Sequence, residues 1–212
     1  MQRRWLARLI AALILVLAGL PAQARDSIAS IVQAGTGNTA TTDQSRGSGS
    51  IASIEQSGQG NRLDLDQAGN ADRIEVRQHG NFGWGKIAQS GVHDEISLLD
   101  SGRGDRSELT QSGDYSTIGL AQRGADNTVA LIQSNDFQRA TIAQDGAGNR
   151  TSIAQNGVGE RAELIQVGNG NLSQLVQNDG GNVLVHRQYG NSLSLSIAQS
   201  GGQVMIVTQW GH

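Results

Sequence analysis

The sequence predicts an all-β fold: a β-solenoid of stacked strand–turn–strand rungs, with 22-residue rungs made of 11-residue half-repeats, in the manner of amyloid-type cross-β. Three observations predict it. A Gln recurs at almost every eleventh residue, apolar and polar residues alternate before it, and a Gly follows most of these Gln by two places.

The rule is plainest between Arg139 and Asn171, which reads RATIAQDGAGN, RTSIAQNGVGE, RAELIQVGNGN. Each unit has an aliphatic residue (Ile142, Ile153, Leu164), then Gln144, Gln155 or Gln166, then Gly146, Gly157 or Gly168. Anchors fall at Gln33, Gln44, Gln56, Gln67, Gln78, Gln89, Gln111, Gln122, Gln133, Gln144, Gln155, Gln166, Gln177, Gln188, Gln199 and Gln209, with Asp100 in the one vacant slot. Two spacings depart from eleven: twelve between Gln44 and Gln56, ten between Gln199 and Gln209. Thr42 and His186 interrupt the aliphatic position, and Arg46, Asn135 and Asp179 the glycine position.

Within a unit, Asn61, Leu63, Leu65 and Gln67 share parity, as do Asn127, Val129, Leu131 and Gln133. Side chains of a strand alternate faces, so each set points one way while Arg62, Asp64 and Asp66 point the other. Alternation closed by Gly and a short polar run is a half-buried strand followed by a turn. An eleven-residue period also suits a right-handed helical coil, but a Gly in nearly every unit would break that helix.

One unit alone buries almost nothing. Two units facing each other enclose aliphatics and Gln, and rungs then stack about 4.8 Å apart through backbone hydrogen bonds. Stacking places Gln56 over Gln78, aligns Gln122, Gln144, Gln166 and Gln188, and aligns Gln133, Gln155, Gln177 and Gln199 on the other sheet. Amide ladders satisfy each side chain with its own copies. A buried Gln without one would carry a desolvation cost of roughly 1–3 kcal/mol.

Aromatic residues make up only 3% of the chain, too few to fill a thick core, and composition alone would suggest disorder. A narrow two-sheet core needs only two aliphatics per strand, and the only proline, Pro21, precedes the repeats. Residues 1–24 are expected to be a signal peptide: Arg3, Arg4 and Arg8, an apolar run from Leu9 to Leu20, then Ala22-Gln23-Ala24. Its removal takes three of the 16 cationic residues and leaves 13 against 19 acids. That balance argues against nucleic acid or an anionic membrane as partner. The absence of Cys rules out disulfide staples.

Residues 25–48 read as an N-terminal leader with degenerate repeats, semi-detached from the β-solenoid of residues 49–212. On the outer face, Arg precedes an acid by two at Arg62–Asp64, Arg73–Glu75, Arg106–Glu108 and Arg161–Glu163, which keeps flat faces from adhering sideways. The weak rung runs from His93 to Asp105: Asp100 replaces a ladder Gln, and Asp72 and Asp94, twenty-two apart, stack. These three acids are candidates for slowing assembly at neutral pH, since stacked carboxylates repel. The ending VMIVTQWGH is the most apolar strand, with Met205 and Val207 inward and Val204 and Ile206 outward.

Chemistry is sparse. Gly35–Ala40 and Gly157–Ala162 both fit the GxGxxA fingerprint, but no helix is expected after either and the same glycines recur as turns. His79, His93, His186 and His212 lack metal-ligand spacing. His186 occupies an inward aliphatic slot and reads as a local defect or a pH-sensitive rung. No catalytic group, cofactor or metal is expected, and the chain does not read as an enzyme.

The unit A/S-x-φ-x-Q-x-G-x-x-N, doubled behind a secretory signal, resembles the curlin repeat of curli subunits. The likeness is clearest at Ala52–Asn61, Ala140–Asn149 and Ala162–Asn171 and covers residues 51–209. It implies a subunit of an extracellular functional amyloid at the cell surface, in adhesion and biofilm matrix. Such subunits are secreted via the periplasm, with chaperones there and an outer-membrane secretion channel as partners, and stack end to end with themselves and other curlin subunits. It adds Asn61, Asn127, Asn149, Asn171 and Asn182 to the Gln ladder positions. The alanine-rich units and the VMIVTQ ending look like the minor, nucleating subunit, the acidic charge like the major one. The rival readings are a monomeric secreted β-solenoid that binds carbohydrate or ice on one flat face, and a parallel β-helix enzyme, which would need an acidic cluster on one long inserted loop.

Overall fold

The computed structural model describes residues 26–211 and a short strand β1 (Leu13–Leu15); the rest of the expected signal peptide lies outside the described residues. No helix forms among the described residues. The chain winds as a β-solenoid with a 22-residue repeat, alternating between two sheets.

Sheet A stacks β2 (Ile28–Thr36), β4 (Ile51–Gln59), β6 (Arg73–Asn81), β8 (Glu95–Arg103), β10 (Thr117–Ala125), β12 (Arg139–Ala147), β14 (Arg161–Val167), β16 (Val183–Tyr189) and β18 (Val204–Trp210). Sheet B stacks β3 (Thr39–Asp43), β5 (Arg62–Gln67), β7 (Trp84–Val92), β9 (Arg106–Asp114), β11 (Thr128–Ser134), β13 (Arg150–Gln155), β15 (Leu172–Asn178) and β17 (Ser194–Ser200). All these pairings are parallel, and β1 lies antiparallel to β2. Parallel in-register stacking follows from the repeat: residue i meets residue i+22, as Ile142 meets Leu164 and Gln144 meets Gln166.

The two irregular spacings are absorbed in turns. Gln33 pairs with Gln56 and Gln188 with Gln209, so register across each strand survives an added or a missing residue. The degenerate first rung also pairs in register, Ile28 with Ile51 and Thr39 with Arg62, so residues 28–43 pack on the solenoid instead of standing apart. Backbone pairing and an anchor Gln outweigh the missing aliphatic at Thr42.

The core is a thin seam of inward aliphatics, among them Ile54, Leu65, Ile74, Leu98, Ile118, Leu131, Ile142 and Leu164, all buried. In most rungs the glycine after the anchor is required by close approach. Gly146 has φ 129°, and a Cβ there would collide with the carbonyl of Gly168 in the next rung. Backbones this close leave no room for a Cβ at Gly146.

Candidate functional site

The elements with chemical character are two Gln columns inside, two polar columns at the corners, and the sheet edges. In sheet B the amide column is continuous. Gln44 donates to Gln67 (2.6 Å), Gln67 to Gln89 (2.9 Å), Gln89 to Gln111 (3.0 Å), Gln111 to Gln133 (3.1 Å), Gln133 to Gln155 (2.8 Å), Gln155 to Gln177 (2.8 Å) and Gln177 to Gln199 (2.8 Å). Each bond runs from Nε2 to the Oε1 one rung nearer the C-terminus. Many of these amides also reach the facing sheet, as Gln133 Nε2 does to the Thr117 carbonyl (3.4 Å).

Sheet A repeats the arrangement in two pieces. Gln33 donates to Gln56 (2.6 Å) and Gln56 to Gln78 (2.7 Å); then, past Asp100, Gln122 donates to Gln144 (3.0 Å), Gln144 to Gln166 (2.8 Å), Gln166 to Gln188 (2.8 Å) and Gln188 to Gln209 (2.8 Å). Asp100 lies between Gln78 and Gln122 in the strand register, and Gln78 Nε2 is left buried without a partner. Gln122 Oε1, which lacks a donor below it, takes one from the facing sheet, Ser107 Oγ at 2.5 Å.

That clamp was not expected from the sequence, and it recurs. Thr151 Oγ1 donates to Gln166 Oε1 (2.9 Å) and Ser173 Oγ to Gln188 Oε1 (3.1 Å), tying sheet B to the sheet A ladder. The signal is a hydroxyl residue four before the anchor in β9, β13 and β15, where the other strands carry an aliphatic residue, Gly or Met.

The Asn positions act differently from the Gln columns. Asn61, Asn127, Asn149 and Asn171 share one corner, and Asn182 lies at the opposite one; all are buried. Each binds mainly backbone. Asn149 accepts from Asn171 N (3.0 Å) and donates to Gly168 O (2.8 Å), and Asn61 donates to Ser57 O and Gly80 O, both at 3.0 Å. They lock the turns of adjacent rungs together where the chain changes sheet.

Three acids occupy these same corner slots. Asp72 Oδ1 accepts from Asp94 N (3.0 Å), Asp94 Oδ1 from Ser116 N (2.7 Å), and Asp105 Oδ1 from Asn127 N (2.8 Å), as an Asn would. Their Oδ2 atoms replace an amide donor, are buried, and have no conventional donor. Each crowds a turn glycine together with the next rung's carbonyl: Asp72 with Gly91 O beside Gly69, Asp94 with Gly113 O beside Gly91, Asp105 with Gly124 O beside Gly102. Oxygen facing oxygen is favourable only if the acid keeps its proton and donates it.

Burial accordingly raises Asp72 and pushes Asp94 up to about 7, with Asp72, Asp114 and Asp136 adding like charge near Asp94. The Asp72 corner also has His93 and Asp114 nearby. Burial raises both Asp100 and Asp105, and at Asp100 the like charge of Asp105 adds to it. Gly83 leaves room for the Asp100 carboxyl, since a Cβ there would lie 2.5 Å from Asp100 Oδ2. Asp105 was not singled out by the sequence. Among the described residues no group of three or more His, Asp or Glu converges as a metal site.

His186 sits buried in its aliphatic slot, with Nδ1 3.0 Å from Ser173 Oγ and Nε2 unpartnered, and burial lowers its pKa. Of the expected outer-face pairs, Arg73–Glu75 (3.5 Å) and Arg161–Glu163 (4.0 Å) form. Arg106 instead lies over the Trp84 ring at 3.7 Å, and Glu108 is 4.0 Å from Lys86. The +22 neighbour competes with the +2 neighbour, and a stacked indole face offers more contact than an exposed pair worth about 0–1 kcal/mol.

His93, Tyr115 and Phe137 form a corner stack, with centroids 5.2 and 5.5 Å apart and planes within 8°. At the edges, Val204, Ile206 and Trp210 of β18 are 70–73% exposed. Among the described residues, nothing pairs with the outer edges of β18, β17 and β3. No protein-family model and no curated protein matches the chain.

Proposed function

We propose that the chain is a structural subunit of an extracellular curli-type amyloid fibre, serving adhesion and biofilm matrix, and that it assembles end to end by strand stacking. The observation that carries this reading is the polarity of the Gln columns. At one end of the solenoid Gln33 and Gln44 present Oε1 acceptors, and at the other Gln199 and Gln209 present Nε2 groups with no Gln to receive them. Donor end meets acceptor end only head to tail, so a second copy continues both columns, while a reversed copy sets like against like. The exposed apolar face of β18 and its open edge favour addition there. Secretion through the periplasm and an outer-membrane channel, and a nucleating rather than a major role, belong to the same reading and rest on the curlin likeness.

The test is assembly of purified chain lacking residues 1–24. Fibres that bind thioflavin, grow after a lag removed by seeds, and give a meridional reflection near ~4.8 Å are expected. A chain that stays monomeric for days at high concentration would overturn the reading and leave a monomeric binding solenoid in its place.

A further inference from the structure

We propose that the Asn156–Gly157 peptide is a self-modification site, at which Glu160 promotes ring closure and loss of the Asn156 side-chain amide. The inference rests on the fold alone and is independent of fibre assembly. The chain has two Asn–Gly pairs, Asn156–Gly157 and Asn169–Gly170, and both asparagines are exposed, so water reaches both. Their surroundings differ in what holds the attacking nitrogen.

Gly157 N donates to Glu160 Oε2 at 3.1 Å, and Glu160 is 1% exposed. The carbonyl of the same peptide, Asn156 O, accepts from Asn135 Nδ2 at 3.0 Å, which draws electron density away and makes the N–H more acidic. Asn156 Oδ1 accepts from Ser134 Oγ at 3.2 Å, which polarises the carbon to be attacked. Withdrawal of the N–H proton by Glu160 leaves the nitrogen an electron pair with which to attack. A base, an acidified nucleophile and an activated carbonyl therefore meet in one turn.

The step balances as follows. Gly157 N attacks Asn156 Cγ and its proton passes to Glu160; the Cγ–Nδ2 bond breaks, the proton is handed on through water, and Nδ2 departs as ammonia. The resulting five-membered imide takes up one water and opens to aspartate or isoaspartate. At the second pair, Gly170 N donates to the neutral carbonyl Ala147 O (2.8 Å) and has no carboxylate acceptor there. Opening to isoaspartate lengthens the backbone beside Asn156 N, which donates to Gln177 O (2.9 Å), and either product places a charge where Asn156 Nδ2 donates to Asn178 (3.1 Å). Modification therefore loosens this corner with age.

The test is incubation of the full chain at neutral pH, with peptide mapping by mass spectrometry and enzymatic isoaspartate labelling. In the folded chain Asn156 is expected to convert about a hundredfold faster than Asn169, the low side of what a placed base supplies. In denaturant the two should convert alike. Glu160→Gln should bring Asn156 down to the Asn169 rate, whereas mere loosening of the fold would raise both. Equal rates in the folded chain, or an unchanged Asn156 rate in a folded Glu160→Gln chain, would overturn the proposal. If Glu160→Gln does not fold, Asn135→Ala decides: a several-fold slower Asn156 supports the site, and no change removes it.

Discussion

The two Gln columns have the same geometry and differ in one residue. Sheet B carries an unbroken run from Gln44 to Gln199, whereas in sheet A Asp100 interrupts the run between Gln78 and Gln122. The broken column shows the consequences an intact one hides. An amide is orphaned on one side, a hydroxyl is recruited from the facing sheet on the other, and a buried carboxyl with a raised pKa fills the gap. An amide both donates and accepts along the stack and can be copied without limit. A carboxyl group does so only while it keeps its proton.

The largest expected effect comes from breaking the intact column. In Gln133→Glu the new carboxylate still accepts from Gln111 but faces Gln155 Oε1 and the Thr117 carbonyl with nothing to donate. A buried, uncompensated charge of this kind should destabilise by roughly 3–5 kcal/mol at neutral pH. Denaturant midpoints should fall accordingly and recover in acid, where the protonated side chain donates again. A variant as stable as the parent at neutral pH would show that the ladder contributes little.

The acidic region should set the pH dependence. Unfolded, Asp94 ionises around 3.8; folded, it holds its proton to about 7. Between those values the unfolded chain has released a proton the folded chain keeps, so stability is complete below about pH 4 and falls as pH rises toward 7. The slope is about 1.4 kcal/mol per pH unit for each acid held neutral. Asp72, Asp100 and Asp105 are shifted in the same direction. Joint replacement Asp72→Asn, Asp94→Asn and Asp105→Asn should flatten the profile, because each amide donates to the carbonyl the acid now faces. Thermal midpoints at acid and neutral pH that keep their full difference in this variant would place the dependence elsewhere.

Repairing the broken column is a smaller change. Asp100→Gln gives Gln78 Nε2 an acceptor and Gln122 Oε1 a donor, and should stabilise by about 1–3 kcal/mol, the cost of a buried unpaired polar group. Hydrogen exchange in β6 and β10 should slow locally if the column becomes continuous.

Sheet, register and inward face were legible because a strict period fixes them together: once Gln144 stands over Gln166, every other pairing follows. The corners were less so. Asn149 shares parity with the inward residues, yet the chain turns there, and its amide meets backbone instead of Asn171's amide. Ser107, Thr151 and Ser173 carry no signal within a single strand, because the Gln each one serves lies fifteen residues away across a turn. Asp105 escaped notice because it holds an Asn corner slot, where its Oδ1 accepts from Asn127 N twenty-two residues on.

His186 gives the smallest effect, and one of opposite sign. It stands in the column of Ile142, Leu164 and Val207, buried, with Nε2 unpartnered. Ser173 keeps its bonds to Gln166 and Gln188 without it, so His186→Leu leaves no new orphan. Because burial depresses the folded pKa below 6.5, the parent loses stability as pH falls through that lowered value, when protonation favours the unfolded chain. His186→Leu should therefore stabilise by about 1 kcal/mol near neutrality, a typical orphan's cost, and by more in acid. The corner acids gain stability in that same acid range, so the two effects partly cancel in the parent. A gain that does not grow as pH falls would mean His186 stays neutral throughout and the acids alone set the profile.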